Sequence, residues 1–231
     1  MKKSVFVSGI DTDCGKTIAT GVLARSFRKY GYSIITQKFI QTGCDEFSED
    51  IEKHRELMNV DAFEEDLNHL TAPLVFKTPV SPHLAAEMDG RDVEISKVYQ
   101  SLDLLEAKYE RVLLEGAGGL MVPYTREHTT LDFIKDSNLP VILVSSSKLG
   151  SINHTLISLE LLEKYNLTLH GVIYNHLPGT PAYQLEDSAR VIKAYLKNNF
   201  PKAIFAEIPD LNKDSSFVFS EAVVKQFDKL G

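Results

Sequence analysis

The chain has 231 residues, with 25 Lys+Arg against 32 Asp+Glu for a net charge of −7, and is 43% apolar and 25% charged. That acidic balance argues against general nucleic-acid binding, which needs a positive footprint to neutralise phosphates, and no apolar run approaches the ~20 residues that span a bilayer. The two cysteines, Cys14 and Cys44, make no disulfide framework, and the apolar run after Met1-Lys2-Lys3 is too short for a signal peptide, so a reduced, soluble, cytoplasmic protein is expected.

Compact aliphatic runs alternate with amphipathic stretches of helical length. Val5-Phe6-Val7 predicts the first strand, and Lys16–Tyr30 a helix with Ile18, Val22, Leu23 and Phe27 on one face. Ile34-Ile35-Thr36 predicts a second strand. The acidic, poorly patterned segment Asp45–Asp66 and the segment Thr71–Asp89, with Pro73, Pro79 and Pro82, read as excursions over a sheet. Glu94–Tyr109 then predicts a helix carrying Ile95, Val98, Leu102 and Leu105. Strands follow at Val112-Leu113-Leu114 and Val141-Ile142-Leu143-Val144. Ser151–Tyr165 predicts a helix carrying Ile152, Leu156, Leu159 and Leu162, and Val172-Ile173-Tyr174 and Ala203-Ile204-Phe205 are further strands. Ser220–Leu230 places Val223, Val224, Phe227 and Leu230 on one side, with balanced charges that favour a core or interface helix over a membrane anchor. Continuous apolar strands interleaved with helices indicate βαβ units and a doubly wound parallel sheet. No linker or repeat divides the chain, so residues 1–231 read as one domain.

The segment Gly9-Ile10-Asp11-Thr12-Asp13-Cys14-Gly15-Lys16-Thr17 follows a strand and opens a helix, the context a phosphate-binding loop requires. Backbone N–H groups and a helix N-terminus offer donors and partial positive charge to polyphosphate. Lys16 would reach the β- and γ-phosphates, and the Thr17 hydroxyl would ligate Mg²⁺. Five residues, not the usual four, separate Gly9 from Gly15. The expected class is therefore an α/β, P-loop NTPase-type fold, with a mostly parallel sheet flanked by helices on both faces.

A P-loop needs acidic partners to hold magnesium. Glu115 ends a strand, where open α/β sheets bind ligands, and Gly116-Ala117-Gly118-Gly119 would let backbone approach a nucleotide; a solvated glutamate before a flexible turn is the alternative. Asp50 competes with Glu46, Glu49 and Glu52, and spacing alone fits a solvated acidic face equally. Lys38 ends the second strand, with Thr42-Gly43 shortly after. It could flank a transferring phosphoryl group together with Lys16, or be a surface lysine in a βα loop.

Together with Thr78-Pro79-Val80-Ser81-Pro82-His83, Lys148-Leu149-Gly150-Ser151-Ile152-Asn153-His154, Asn175 and Glu207-Ile208-Pro209, these motifs resemble the dethiobiotin synthetase family from Gly9 to Asp210. The resemblance implies an ATP-dependent ring closure in which 7,8-diaminopelargonic acid and CO₂ give dethiobiotin, ADP and phosphate. A carbamate and a carbamic–phosphoric mixed anhydride are the implied intermediates. It implies Lys38 and Lys16 as catalytic lysines and Thr17, Asp50 and Glu115 as Mg²⁺ ligands. Nucleotide would contact Asp13, Cys14, Gly15, Lys16, Thr17, Ile18, Asp50, Glu115, Gly116, Ala117, Gly118, Asn175, His176, Ile208, Pro209 and Asp210. Substrate would contact Lys38, Thr42, Gly118, Gly150, Ser151 and Asn153, in a homodimer with the site at the subunit interface. Asp13 stands where relatives often carry glutamate, and His176 where some carry aspartate. As Cys14 lies in the loop, bulky thiol reagents are expected to block ATP binding. The competing expectations are a partitioning-type ATPase switch, against which the loop lacks an extra early lysine, and a nucleotide binder without catalysis.

Overall fold

The computed structural model describes residues 2–229, so Met1 and the expected apolar position Leu230 lie outside the described residues. Six strands form one parallel sheet: β1 (Ser4–Gly9), β2 (Ile34–Lys38), β5 (Arg111–Gly119), β6 (Val141–Ser146), β7 (Leu169–Asn175) and β8 (Ile204–Ile208). Their order is β2-β5-β1-β6-β7-β8 and every pairing is parallel. Every residue of β1, β2, β6 and β7 is buried, as strands covered by helices on both faces must be. The last strand begins one residue later than the sequence suggests and runs on to Ile208.

With crossovers between parallel strands right-handed as a rule, the strand order puts α5 (Ile95–Lys108), α6 (Thr130–Ser137), α7 (Ser151–Lys164) and α8 (Ala182–Asn199) on one face. Phe6 of β1 points to that face, in a ring cluster with Phe39 and Phe133. On the other face α1 (Lys16–Lys29) packs against α2 (Glu49–Met58) and α9 (Glu221–Lys229), whose Val224 and Phe227 are buried. Among the described residues no helix is long and apolar enough to cross a membrane.

The segment after β2 departs from the sequence expectation. A short parallel pair, β3 (Gln41–Thr42) and β4 (Val75–Phe76), encloses α2 and the single-turn α3 (Glu64–Leu67), and α4 (Pro82–Met88) follows. Helix α2 was invisible to apolar counting because His54 and Arg55 are buried beside Ile51 and Met58. Ser48 starts it by accepting a hydrogen bond from the Ile51 N–H at 3.2 Å. Its fit against α1 depends on Gly21, where a Cβ would lie 2.6 Å from Leu57 Cδ1.

Candidate active site

A cavity of about 790 Å³ opens over the carboxyl ends of β1, β2, β5 and β7, beside the strand-order reversal where doubly wound sheets bind ligands. Its floor is the loop between β1 and α1. Gly15 sits at φ +92°, and a Cβ there would stand 2.1 Å from Asn175 Nδ2, so a residue without a side chain is required. Gly15 is also the N-cap of α1 and gives no side-chain cap, leaving the first-turn N–H groups free to meet an anion. Lys16 folds back over the loop, its Nζ donating to the Asp11 carbonyl at 2.9 Å.

Three oxygen-bearing side chains meet beside Lys16. The Thr17 hydroxyl lies 2.7 Å from Asp50 Oδ1 and 3.1 Å from Glu115 Oε1. Lys38 closes the cluster, its ammonium 2.5 Å from Asp50 Oδ2 and 2.8 Å from Glu115 Oε1, and it donates to the Gly116 carbonyl at 3.2 Å. Each comes from a different element: α1, α2, the end of β2 and the middle of β5, which does not stop at Glu115 as the sequence suggests but runs on through Gly116 to Gly119.

Lys38 and Glu115 are buried, which opposes charge on both. For Glu115 the neighbouring Lys38 ammonium and His54 imidazole outweigh burial and hold the carboxyl well below the ordinary carboxylate range. For Lys38 the two carboxylates outweigh burial and raise its pKa above the ordinary lysine value. The two carboxylates thus favour the charged form of the lysine.

The donor set suits magnesium, which favours oxygen ligands and keeps substrate phosphates and water among them. One hydroxyl and two carboxylates supply such oxygens, and an ammonium already bridges the two carboxylates. Among the described residues no group of three or more His, Cys, Asp or Glu could hold a metal unaided. A nucleotide's oxygens would complete the set.

Of the expected nucleotide residues, Asp13, Gly15, Lys16, Thr17, Ile18, Asp50, Glu115, Ala117, Gly118, Asn175, His176 and Asp210 line the cavity. Asn175 is nearly buried and its Nδ2 donates to the Cys14 carbonyl at 3.4 Å. The others stand behind the wall. The Cys14 thiol is turned inward and buried, Gly116 lies under the Phe6 ring, Ile208 is fully buried, and Pro209 is not on the lining. Lys38, Thr42 and Gly118 line the cavity among the expected substrate residues. Gly150, Ser151 and Asn153 do not: they start α7 away from it, and the Ser151 hydroxyl is spent on the Ser146 carbonyl.

Sequence reasoning missed several lining residues, among them Thr12, Gln41, Val122, Leu177 and Asn212. It also gave no role to Pro79, Val80, Ser81 and Pro82, which line the cavity and whose motif stood out. His176 has a carboxylate partner that spacing could not show: its Nε2 lies 2.9 Å from Glu207 Oε2, and Lys193 holds the other oxygen at 2.7 Å.

The AAA domain family matches residues 3–215. Among solved structures, the chain resembles the MinC:MinD cell division protein complex of Aquifex aeolicus, with TM-score 0.58 and 14% identity over 99% of this chain and 96% of that one. It resembles pNOB8 ParA with TM-score 0.56 and 14% identity over 100% and 98%. At such identities the likeness shows a shared P-loop fold. Sequence relatives are far nearer. An ATP-dependent dethiobiotin synthetase of Haemophilus ducreyi is 50% identical over 205 residues, covering 89% of this chain and 97% of its own. That of Chlorobaculum tepidum is 42% identical over 222 residues, covering 96% and 91%. Identity of this order across nearly the whole length, on top of a complete phosphate loop, makes this chain a member of the ATP-dependent dethiobiotin synthetase family.

Proposed function

We propose that the chain, acting as a single catalytic domain, closes the cyclic urea of dethiobiotin from 7,8-diaminopelargonic acid, CO₂ and ATP. One amine adds to CO₂ and loses a proton to give a carbamate. A carbamate oxygen attacks the γ-phosphorus, and ADP departs. The second amine attacks the carbamoyl carbon of the mixed anhydride, losing a proton as phosphate leaves.

Carbamate and γ-phosphate are both anions, and their approach is the physical obstacle. The observation that carries the reading is the convergence of Lys38 and the P-loop threonine on the carboxylates of Asp50 and Glu115 in the cavity. Lys16 and the open N-terminus of α1 bind the phosphates. Lys38, kept charged by its two carboxylate neighbours, neutralises charge that develops between the reactants. Thr17, Asp50 and Glu115 would hold Mg²⁺, which when bound offsets phosphate charge. Asn175, beside Gly15, is suited to meet the nucleobase, and Thr42 to hydrogen-bond the substrate.

Gly150, Ser151 and Asn153 enter the reading through a second copy of the chain. They lie outside the cavity of their own subunit, and Leu149 and Ile157 beside them are exposed large apolar side chains. In a homodimer this helix start would face the partner's cavity and receive the substrate carboxylate at its N–H groups.

The test supplies ATP, Mg²⁺, labelled bicarbonate and 7,8-diaminopelargonic acid and follows label into acid-stable product. Stoichiometric ADP and labelled cyclic urea support the reading. Phosphate release without carbon fixation would point instead to an ATPase switch.

A further inference from the structure

Behind the carboxylates runs a polar chain that the steps above do not use. Helix α2 carries His54 one turn after Asp50, so the two share a face of that helix. His54 is fully buried, with Nε2 at 2.7 Å from Glu115 Oε2 and Nδ1 at 3.0 Å from Thr36 Oγ1. Arg55 donates to the same Thr36 Oγ1 from Nη1 at 2.7 Å. It is itself fixed to Asp66 by two bonds of 2.8 Å from Nε and Nη2, with its guanidinium 4.8 Å from the centre of the Phe63 ring.

Proton accounting gives the chain a direction. Arginine only donates, so Thr36 Oγ1 accepts from Arg55 and has one proton left to give. At the other end the Glu115 carboxylate can only accept, so His54 Nε2 carries a proton that points at Oε2, while Nδ1 shares its hydrogen bond with Thr36 Oγ1. The two oxygens of Glu115 thereby take separate duties. Oε2 is tied back to His54, while Oε1 faces Thr17 and Lys38.

We propose that His54 is a positioning residue for the metal: it fixes the rotation of the Glu115 carboxylate so that Oε1 is presented to the cation that accompanies the nucleotide. Arg55 and Asp66 in turn fix His54 through Thr36. The inference rests on Glu115 being a metal ligand. Without the imidazole, a buried carboxylate oxygen is left bare, at the cost of its desolvation, and the terminal torsion of the side chain is broad enough to let it turn toward Lys38. Hydrogen-bond partners of ligating groups typically change metal affinity by about 10–100-fold.

The test titrates Mn²⁺, followed by its electron paramagnetic resonance signal, into the ADP-bound full chain. His54→Leu is expected to weaken Mn²⁺ binding about tenfold or more, with ADP affinity in the absence of metal unchanged. His54→Gln, which can still offer an N–H to Oε2, is expected to recover most of the affinity, and the shorter His54→Asn is not. In turnover the loss should show as a raised Mg²⁺ requirement with kcat at saturating metal little altered. If Leu, Gln and Asn variants all bind Mn²⁺ like the wild type, the proposal is overturned. It is equally overturned if Gln is as weak as Leu, because His54 would then only fill space. Should the Leu variant not fold, the Gln against Asn contrast decides. Glu115→Gln separates the underlying reading: wild-type Mn²⁺ binding in that variant would remove Glu115 as a ligand whatever His54 does.

Discussion

Lys38 and Glu115 are direct partners in the β2–β5 ladder, and their side chains meet again above it at 2.8 Å. Adjacent parallel strands run about 4.8 Å apart, so the backbone ladder itself holds this cation against this carboxylate. Such a pair is costly to break from one side, because the survivor is left as an uncompensated buried charge.

Lys38→Ala is accordingly expected to leave ADP binding near the wild-type level and to lower ring closure by about 10²–10³-fold, the scale of removing one preorganised electrostatic group. Calorimetric ADP titration alongside the labelled-bicarbonate assay checks both halves. Unchanged turnover would remove Lys38 from the chemistry.

Gly15→Ala meets two obstacles at once, a left-handed backbone at φ +92° and the Asn175 amide 2.1 Å from the new methyl. Backbone strain of this kind costs about 1–3 kcal/mol. The variant should lose nucleotide affinity, and Asn175→Ala in the same chain should restore only part of it, since the strain remains. Full rescue of ADP binding in the double variant would show that the contact alone mattered.

Ser48→Ala removes the N-cap of the helix that carries Asp50 and His54, along with its 2.6 Å bond to Gln41 Oε1. A loss of about 1 kcal/mol is expected, lowering the melting temperature by about 2–4 °C in a domain of this size. Thermal unfolding reads the first effect, and a raised Mg²⁺ requirement in turnover would report loosening of the helix start.

Glu207 gives a pH dependence of stability. The His176 hydrogen bond, against the opposing effect of partial burial and with Lys193 assisting, pulls its carboxyl down to about 2 from an ordinary 4.5. The folded pKa is depressed, so the contribution is fully present above the unfolded value and is lost as pH falls from about 4.5 towards about 2. Glu207→Gln should therefore destabilise the protein at pH 7 and progressively less below pH 4.5. Urea midpoints of both proteins at pH 7 and pH 3 test this; a constant difference would assign the effect to packing.

The Cys14 thiol faces into the loop, within 2.6 Å of where a Cβ on Gly9 would stand, and is only 2% exposed. A bulky maleimide should react with it only as the loop opens. Bound ADP should slow the reaction, and modified protein should no longer bind nucleotide. Equal labelling rates with and without ADP would count against a thiol enclosed by the nucleotide loop.

The strands and the phosphate loop were legible because buried parallel strands are unbroken apolar runs and the glycine-lysine-threonine turn has a backbone reason for each residue. Lys38 was suggested by its strand-end position and Glu115 by the end of its apolar run, although β5 in fact continues to Gly119; their mutual contact came from the β2–β5 register. Asp50 was not separable from Glu46, Glu49 and Glu52 by sequence, because what distinguishes it is the turn of α2 that faces Thr17. His54 and Arg55 stayed hidden for a related reason: buried polar side chains look like surface ones until their partners on β2, α3 and β5 are in place.

The absent side chain at Gly21 has a reach beyond its own helix. Leu57 fills that notch, and so sets how closely the rod bearing Thr17 lies beside the rod bearing Asp50. A single added methyl would act as a shim between them, prying hydroxyl and carboxylate apart without touching either, so the tolerance of the reaction centre is gauged at a spot where no chemistry occurs.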